Sequence, residues 1–97
     1  MQTEQEQLDY INKECNTYYT SLDKVNWKMI SIYQKLSENF IREFQDKLDW
    51  DFISECQILS EDFIREFADK VNWECISYYQ TLSESFIREF QDKIDWY

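Results

Sequence analysis

Leu59-Ser60-Glu61-Asp62-Phe63-Ile64-Arg65-Glu66-Phe67-Ala68-Asp69-Lys70-Val71-Asn72-Trp73 is the stretch that decides the fold of this chain. Nearly the same words begin at Leu36 and again at Leu82, each copy 23 residues after the last, and Trp27, Trp50, Trp73 and Trp96 keep that period without a slip. A fixed period of this size marks a repeat architecture, in which each unit buries its apolar face against its neighbours.

Each period carries two helix starts. Asn26, Asp49 and Asn72 precede a tryptophan and are preferred N-cap residues. The apolar residue before each cap (Val25, Leu48, Val71) is spaced to pack on Ile30, Ile53 or Ile76, a hydrophobic staple. Ser37, Ser60 and Ser83 open the second helix, with Leu36, Leu59 and Leu82 before them and Ile41, Ile64 and Ile87 at the matching staple position. The expected unit is a first helix from Trp to about Gln, a corner, and a second helix from Glu to about Asp-Lys. Phe40, Ile41 and Phe44 and their copies form its apolar side, and Glu38 with Arg42 and Glu43 with Lys47 are i,i+4 pairs in the favourable order. Helices this short are marginal alone, since isolated ones need roughly 12–15 residues. The fold class is therefore all-α, a short α-solenoid of helix-turn-helix repeats whose stability comes from stacking. Its three units are Trp27–Asp49, Trp50–Asn72 and Trp73–Asp95.

Ahead of the repeats, Thr3 with Glu6 spells a capping box. Leu8, Ile11, Cys15, Tyr18, Leu22 and Val25 recur at helical spacing, so residues 1–26 are expected to form an N-terminal capping helix. Behind the third unit the chain ends at Trp96-Tyr97. Either these two fold back as a lid, or an apolar edge stays open and supports a homo-oligomer through the carboxyl end.

Bulk composition fits one small domain. Gly and Pro are both absent, which suits helices better than primed hairpin turns. The formal charge of −10 disfavours direct contact with nucleic acid or anionic membrane and favours a basic protein partner. With no His, zinc sites built on His and nucleophile–His pairs are excluded; no catalytic residue, metal site or cofactor is expected. Cys15, Cys56 and Cys75 make an odd set without a CxxC pair, which reads as buried free thiols in a reducing, cytoplasmic setting.

Comparison of the units separates scaffold from surface. Trp, Ile, Ser and Gln of the first helix (Trp27, Ile30, Ser31, Gln34 and copies) are identical in all three. The aromatic ladder reads as core, and the Ser and Gln pair as a hydrogen-bond ladder between units. Variation gathers on the first helix. Lys28, Ile32 and Lys35 become Asp51, Glu55 and Ile58, then Glu74, Tyr78 and Thr81, all on one stripe. Two readings of that stripe stand, a partner-binding face or neutral drift on a solvated one. Acidity is biased towards the second and third units. The first has four basic and four acidic residues, the second two against six, and the third two against five. Glu61, Asp62, Asp69 and Asp92 complete the candidate acidic patch.

The word LSEDFIREFADKVNW, with ISYYQTLSESFIREF after it, resembles short tandem helical repeats in predicted proteins of phages, large DNA viruses and some bacteria. The likeness covers residues 27–97 and implies an interaction protein of viral or mobile-element origin. The expected function is thus a non-enzymatic protein-binding module. Its most concrete form is a small acidic decoy that mimics nucleic acid before a basic, nucleic-acid-binding protein. A self-assembling structural repeat is the alternative.

Overall fold

The computed structural model describes residues 2–33 and 35–95. Among them the chain is all-helical. The helices are α1 (Glu4–Cys15), α2 (Trp27–Tyr33), α3 (Glu38–Glu43), α4 (Trp50–Cys56), α5 (Glu61–Glu66), α6 (Trp73–Tyr79) and α7 (Glu84–Glu89), with a single 3-10 turn at Leu22–Lys24. The tryptophans begin α2, α4 and α6, and the repeated pairs α2–α3, α4–α5 and α6–α7 follow the sequence period. The first helices stand side by side in one row, α2 against α4 and α4 against α6.

The caps expected from sequence are present. Asp49 accepts from the Asp51 and Phe52 N–H groups, Asn72 from Cys75 N–H, and Asn26 from Met29 N–H. Ser37, Ser60 and Ser83 accept from the N–H of Phe40, Phe63 and Phe86. These bonds satisfy donors that a helix cannot satisfy itself, and in helices of six or seven residues such donors are most of the backbone. The second helices are shorter than the sequence spacing suggests. Each stops at its Glu, and the following phenylalanine takes φ near −110° with ψ near 30°. A tight turn then replaces the last helical turn, closed by Lys47 N–H and Leu48 N–H donating to Phe44 O, with the same pattern at Lys70, Val71 and Phe67.

Inside the second and third units one indole packs on two phenyl rings, Trp50 on Phe63 and Phe67 and Trp73 on Phe86 and Phe90, and in the first Trp27 packs on Phe44. Trp50 lies 5.2 Å from Phe67 and Trp73 5.1 Å from Phe90, while Trp27 lies 5.3 Å from Phe44. The indole N–H groups of Trp50 and Trp73 donate to Gln45 O and Ala68 O. Trp27, Trp50 and Trp73 are partly buried against a core that includes the staple residues Val25, Ile30, Leu48, Ile53, Val71 and Ile76. Trp96, Tyr97 and Gln34 lie outside the described residues, so the lid, the open end and the first rung of the Gln ladder do as well.

Between units, the identical polar residues carry the joints. Ser31 and Ser54 accept from the N–H of Asp49 and Asn72, the last residues of their own units and the caps of the first helices that follow, and Ser77 does the same for Asp95. Gln57 reaches back, its Oε1 accepting from Leu36 N–H at 3.0 Å and its Nε2 donating to Ser31 O at 2.9 Å. Gln80 repeats this on Leu59 N–H and Ser54 O. The expected i,i+4 pairs are replaced by longer reaches. Arg42 clasps Glu66, and Arg65 clasps Glu89, in the second helix of the following unit. Glu38 accepts from both the N–H and hydroxyl of Ser60, and Glu61 from those of Ser83. Arg88 takes its i,i+4 partner, Glu84, and Arg65 adds an in-helix pair with Asp62 at i,i+3 to its reach. Among the described residues no ion pair joins Glu43 to Lys47.

The N-terminal segment is not one helix to residue 26. It ends at Cys15, where Asn16 takes a left-handed conformation with φ 55°, and the Asn12 side chain then pins residues 17–19 through Thr17 Oγ1, Tyr19 N–H and Tyr19 O. Tyr18, placed on the apolar stripe by spacing, is 90% exposed. The segment nevertheless covers the first unit as a neighbouring repeat would. Glu14 accepts from Ser37 N–H as Glu38 does from Ser60, Tyr10 packs 5.4 Å from Phe40, and the Tyr19 hydroxyl accepts from Asn26 N–H in place of a repeat serine.

The three thiols are free, but only Cys15 is buried; Cys56 is exposed and Cys75 half-buried, both off the core-facing side of the first helices that Ile53 and Ile76 occupy. Burial, with the nearby Glu14 charge, pushes Cys15 up to about 11.

Gln57→Ala should lower the unfolding free energy by about 1–3 kcal/mol, the cost of stranding the buried Leu36 N–H and Ser31 O. Ile58→Ala, one residue away and exposed, should change it by no more than about 0.5 kcal/mol. Urea denaturation followed by tryptophan fluorescence checks both.

Candidate partner-binding face

The nine candidate residues sit on the row α2–α4–α6 and the strap that follows each helix. Lys28, Lys35, Asp51, Ile58, Glu74, Tyr78 and Thr81 are exposed, and Ile32 and Glu55 are half-buried. Ile58 at 85% and Tyr78 at 70% exposure are large apolar side chains with no core to fill. Side-by-side packing of the first helices thus joins positions 23 residues apart into one surface.

Two larger hollows open on that surface, and a third of about 160 Å³ borders Glu74, Ser77, Tyr78 and Asp95. One, about 470 Å³, lies over the α2–α4 joint and is lined by Ile32, Lys35, Ile58, Cys56 and Glu14 among others. The other, about 240 Å³, lies between α4 and α6 and is lined by Glu55, Glu74, Cys75, Tyr78 and Tyr79. The two differ in charge. Lysine and isoleucine side chains edge the first, whereas carboxylates and tyrosines edge the second.

Some candidate residues also have work inside the fold. Asp51 accepts from the Nδ2 of Asn72, steadying the cap of α6. Lys28 lies over the Phe52 ring at 5.2 Å. Glu55 accepts the hydroxyl of Tyr79, which holds that phenol above its ordinary value, the nearby Glu55 charge adding to the effect. Burial, with Glu55 the largest of several acidic neighbours, also raises the Cys75 thiol. Tyr79 belongs to this surface although sequence comparison did not select it; Cys56 holds the matching place one unit earlier, and an aromatic so close to the variable Tyr78 was the available signal.

The acidic four lie elsewhere. Glu61 and Asp62 start α5, and Asp69 and Asp92 sit in the turns after the second helices, so none belongs to the row of first helices. Glu61 is engaged by Ser83 and Asp62 by Arg65 at 2.8 Å, while Asp69 and Asp92 are exposed. Among the described residues no three Cys, Asp or Glu side chains are placed to share a metal ion. No described helix is long and apolar enough to cross a membrane.

No family model, no curated protein and no solved structure matches the chain.

The Glu61 joint has a pH signature. Donation from Ser83 N–H, then from its hydroxyl, holds the Glu61 carboxyl below its ordinary value of 4.5. Because the folded value lies below the unfolded one, this joint stabilises the fold above that value. The contribution is lost as pH falls through the depressed folded value. Glu61→Gln should therefore be less stable than the parent near neutral pH, and the gap should close in acid. Urea midpoints measured from about pH 7 to about pH 3 test this.

Proposed function

We propose that this chain is a non-enzymatic protein-binding repeat module that presents its row of first helices to a basic partner, in the manner of a small acidic decoy of a nucleic-acid-binding protein. One observation carries the reading. Most side chains identical in every unit serve core, caps and joints, while the differing side chains of the first helices and the straps after them share one side-by-side, largely solvent-facing row. A solenoid presents partners with such a surface. The net charge of −10, with the second and third units the most acidic, supplies long-range attraction for a cationic partner and repulsion for nucleic acid itself.

Competition provides the test. The chain should displace labelled duplex DNA from a basic DNA-binding domain, and the displacement should weaken steeply between about 50 and 500 mM salt, since exposed charges are screened. Replacing Glu55 and Glu74 together with Lys should abolish it while the helical circular dichroism stays unchanged. Displacement that ignores both salt and these substitutions would refute the reading.

Exposure at the outgoing face of the third unit favours self-assembly as a second reading. Leu82, Ile87 and Phe90 are only partly buried, where Leu59, Ile64 and Phe67 are buried against the following unit. If copies associate there, light scattering should give a mass that rises with concentration, and Ile87→Lys should hold the chain as a monomer. A concentration-independent monomer mass removes this alternative.

A further inference from the structure

We propose that the hollow between α4 and α6 receives an arginine side chain of the partner, its guanidinium stacked on the Tyr78 ring and paired with the carboxylates of Glu74 and Glu55. This assignment rests on the first-helix row being the contact face, and adds the chemistry that the row reads.

The hollow's size and lining favour a single cationic side chain. At about 240 Å³ it falls below the roughly 300–1,000 Å³ of small-molecule clefts. Its two carboxylates come from adjacent helices, Glu55 from α4 and Glu74 from α6, and no described lysine or arginine forms an ion pair with either. Tyr79 borders the same hollow beside Glu55. Tyr78 and Tyr79 stand 4.9 Å apart, tilted by 58°, so their contact takes up at most one face of Tyr78, whose side chain stays 70% exposed. An exposed aromatic face beside unpaired carboxylates attracts a cation by both its quadrupole and their charge.

The chain itself shows which cation this combination suits. At each joint between second helices an arginine lies over a phenylalanine ring while its guanidinium holds a carboxylate. Arg42 is 5.3 Å from Phe63 and bound to Glu66, and Arg65 is 5.3 Å from Phe86 and bound to Glu89. Lys28, the lysine seated on a ring, forms no ion pair among the described residues. The planar guanidinium can stack and donate a bidentate pair at once, whereas an ammonium is a point charge that must divide itself between ring and carboxylate. Tyr78 and Glu74 again put a ring and a carboxylate on one helix and on the wall of one hollow, four residues apart rather than three, with no arginine of this chain paired to the carboxylate.

A glycine-spaced oligo-arginine peptide and its oligo-lysine counterpart of equal length and charge make the test, titrated into the chain by fluorescence anisotropy. The arginine peptide should bind about 2- to 5-fold more tightly. Tyr78→Ala should erase that preference and leave lysine-peptide affinity unchanged, Tyr78→Phe should keep it, and Glu74→Gln should weaken both peptides. Tyr78 is exposed, so these variants are expected to fold, with circular dichroism as the check. Equal affinity of the two peptides for the parent chain, or a preference that survives Tyr78→Ala, overturns the arginine assignment but not the acidic face. Failure of both peptides to bind overturns the acidic face and the assignment with it.

Discussion

Everything in this molecule depends on helices too short to hold themselves. Six or seven residues leave almost every backbone donor and acceptor at an end, so each helix survives only if side chains from elsewhere complete it. The repeat word supplies those side chains. Serine and Asn or Asp close the helix starts from within the unit. Glutamine and glutamate close the connecting backbone from the next unit or the one before. Removal of one unit would therefore strip bonds from its neighbours as well as apolar cover, which is the physical content of nearest-neighbour stability in a solenoid.

The same constraint explains how the ends differ from the middle. At the amino end α1 belongs to no repeat, yet Glu14, Tyr10 and the Tyr19 hydroxyl contact the first unit at the points where a neighbouring repeat would. At the third unit Arg88 turns inward to Glu84, where Arg42 and Arg65 reach onward to a glutamate in the following unit. A guanidinium satisfied within its own helix forms an exposed pair of small worth, whereas one stretched across a joint ties two helices and shields a phenyl ring.

Because core, caps and joints take up most of the identical residues, the differing residues of the first helices are left largely facing solvent. The first-helix row then runs from a lysine-bearing hollow to one edged by glutamate and tyrosine. The acidic residues on the second-helix side, Glu61 and Asp62 above all, act as fasteners and solubilising charge before they are available to a partner.

The sequence by itself determined the period, the helix starts and the buried faces. N-caps, staples and aromatic spacing are local chemistry, and Ser60, Asp49 or Ile53 behave alike wherever the chain places them. It also marked Lys28 to Thr81 as the varying stripe, since internal copies can be compared without a structure. The tertiary fold alone decided where charged side chains find partners. Glu38 and Arg42 satisfy an i,i+4 rule in sequence, yet each prefers a group 22 or 24 residues away, because stacking brings a backbone N–H and a second carboxylate within reach at lower solvent exposure. The end of α1 at Asn16 likewise rests on the Asn12 amide holding a loop, a competition between side chain and helix that apolar periodicity cannot register. The hollow between α4 and α6 exists only because two helices stand side by side, so its chemistry belongs to neither repeat alone.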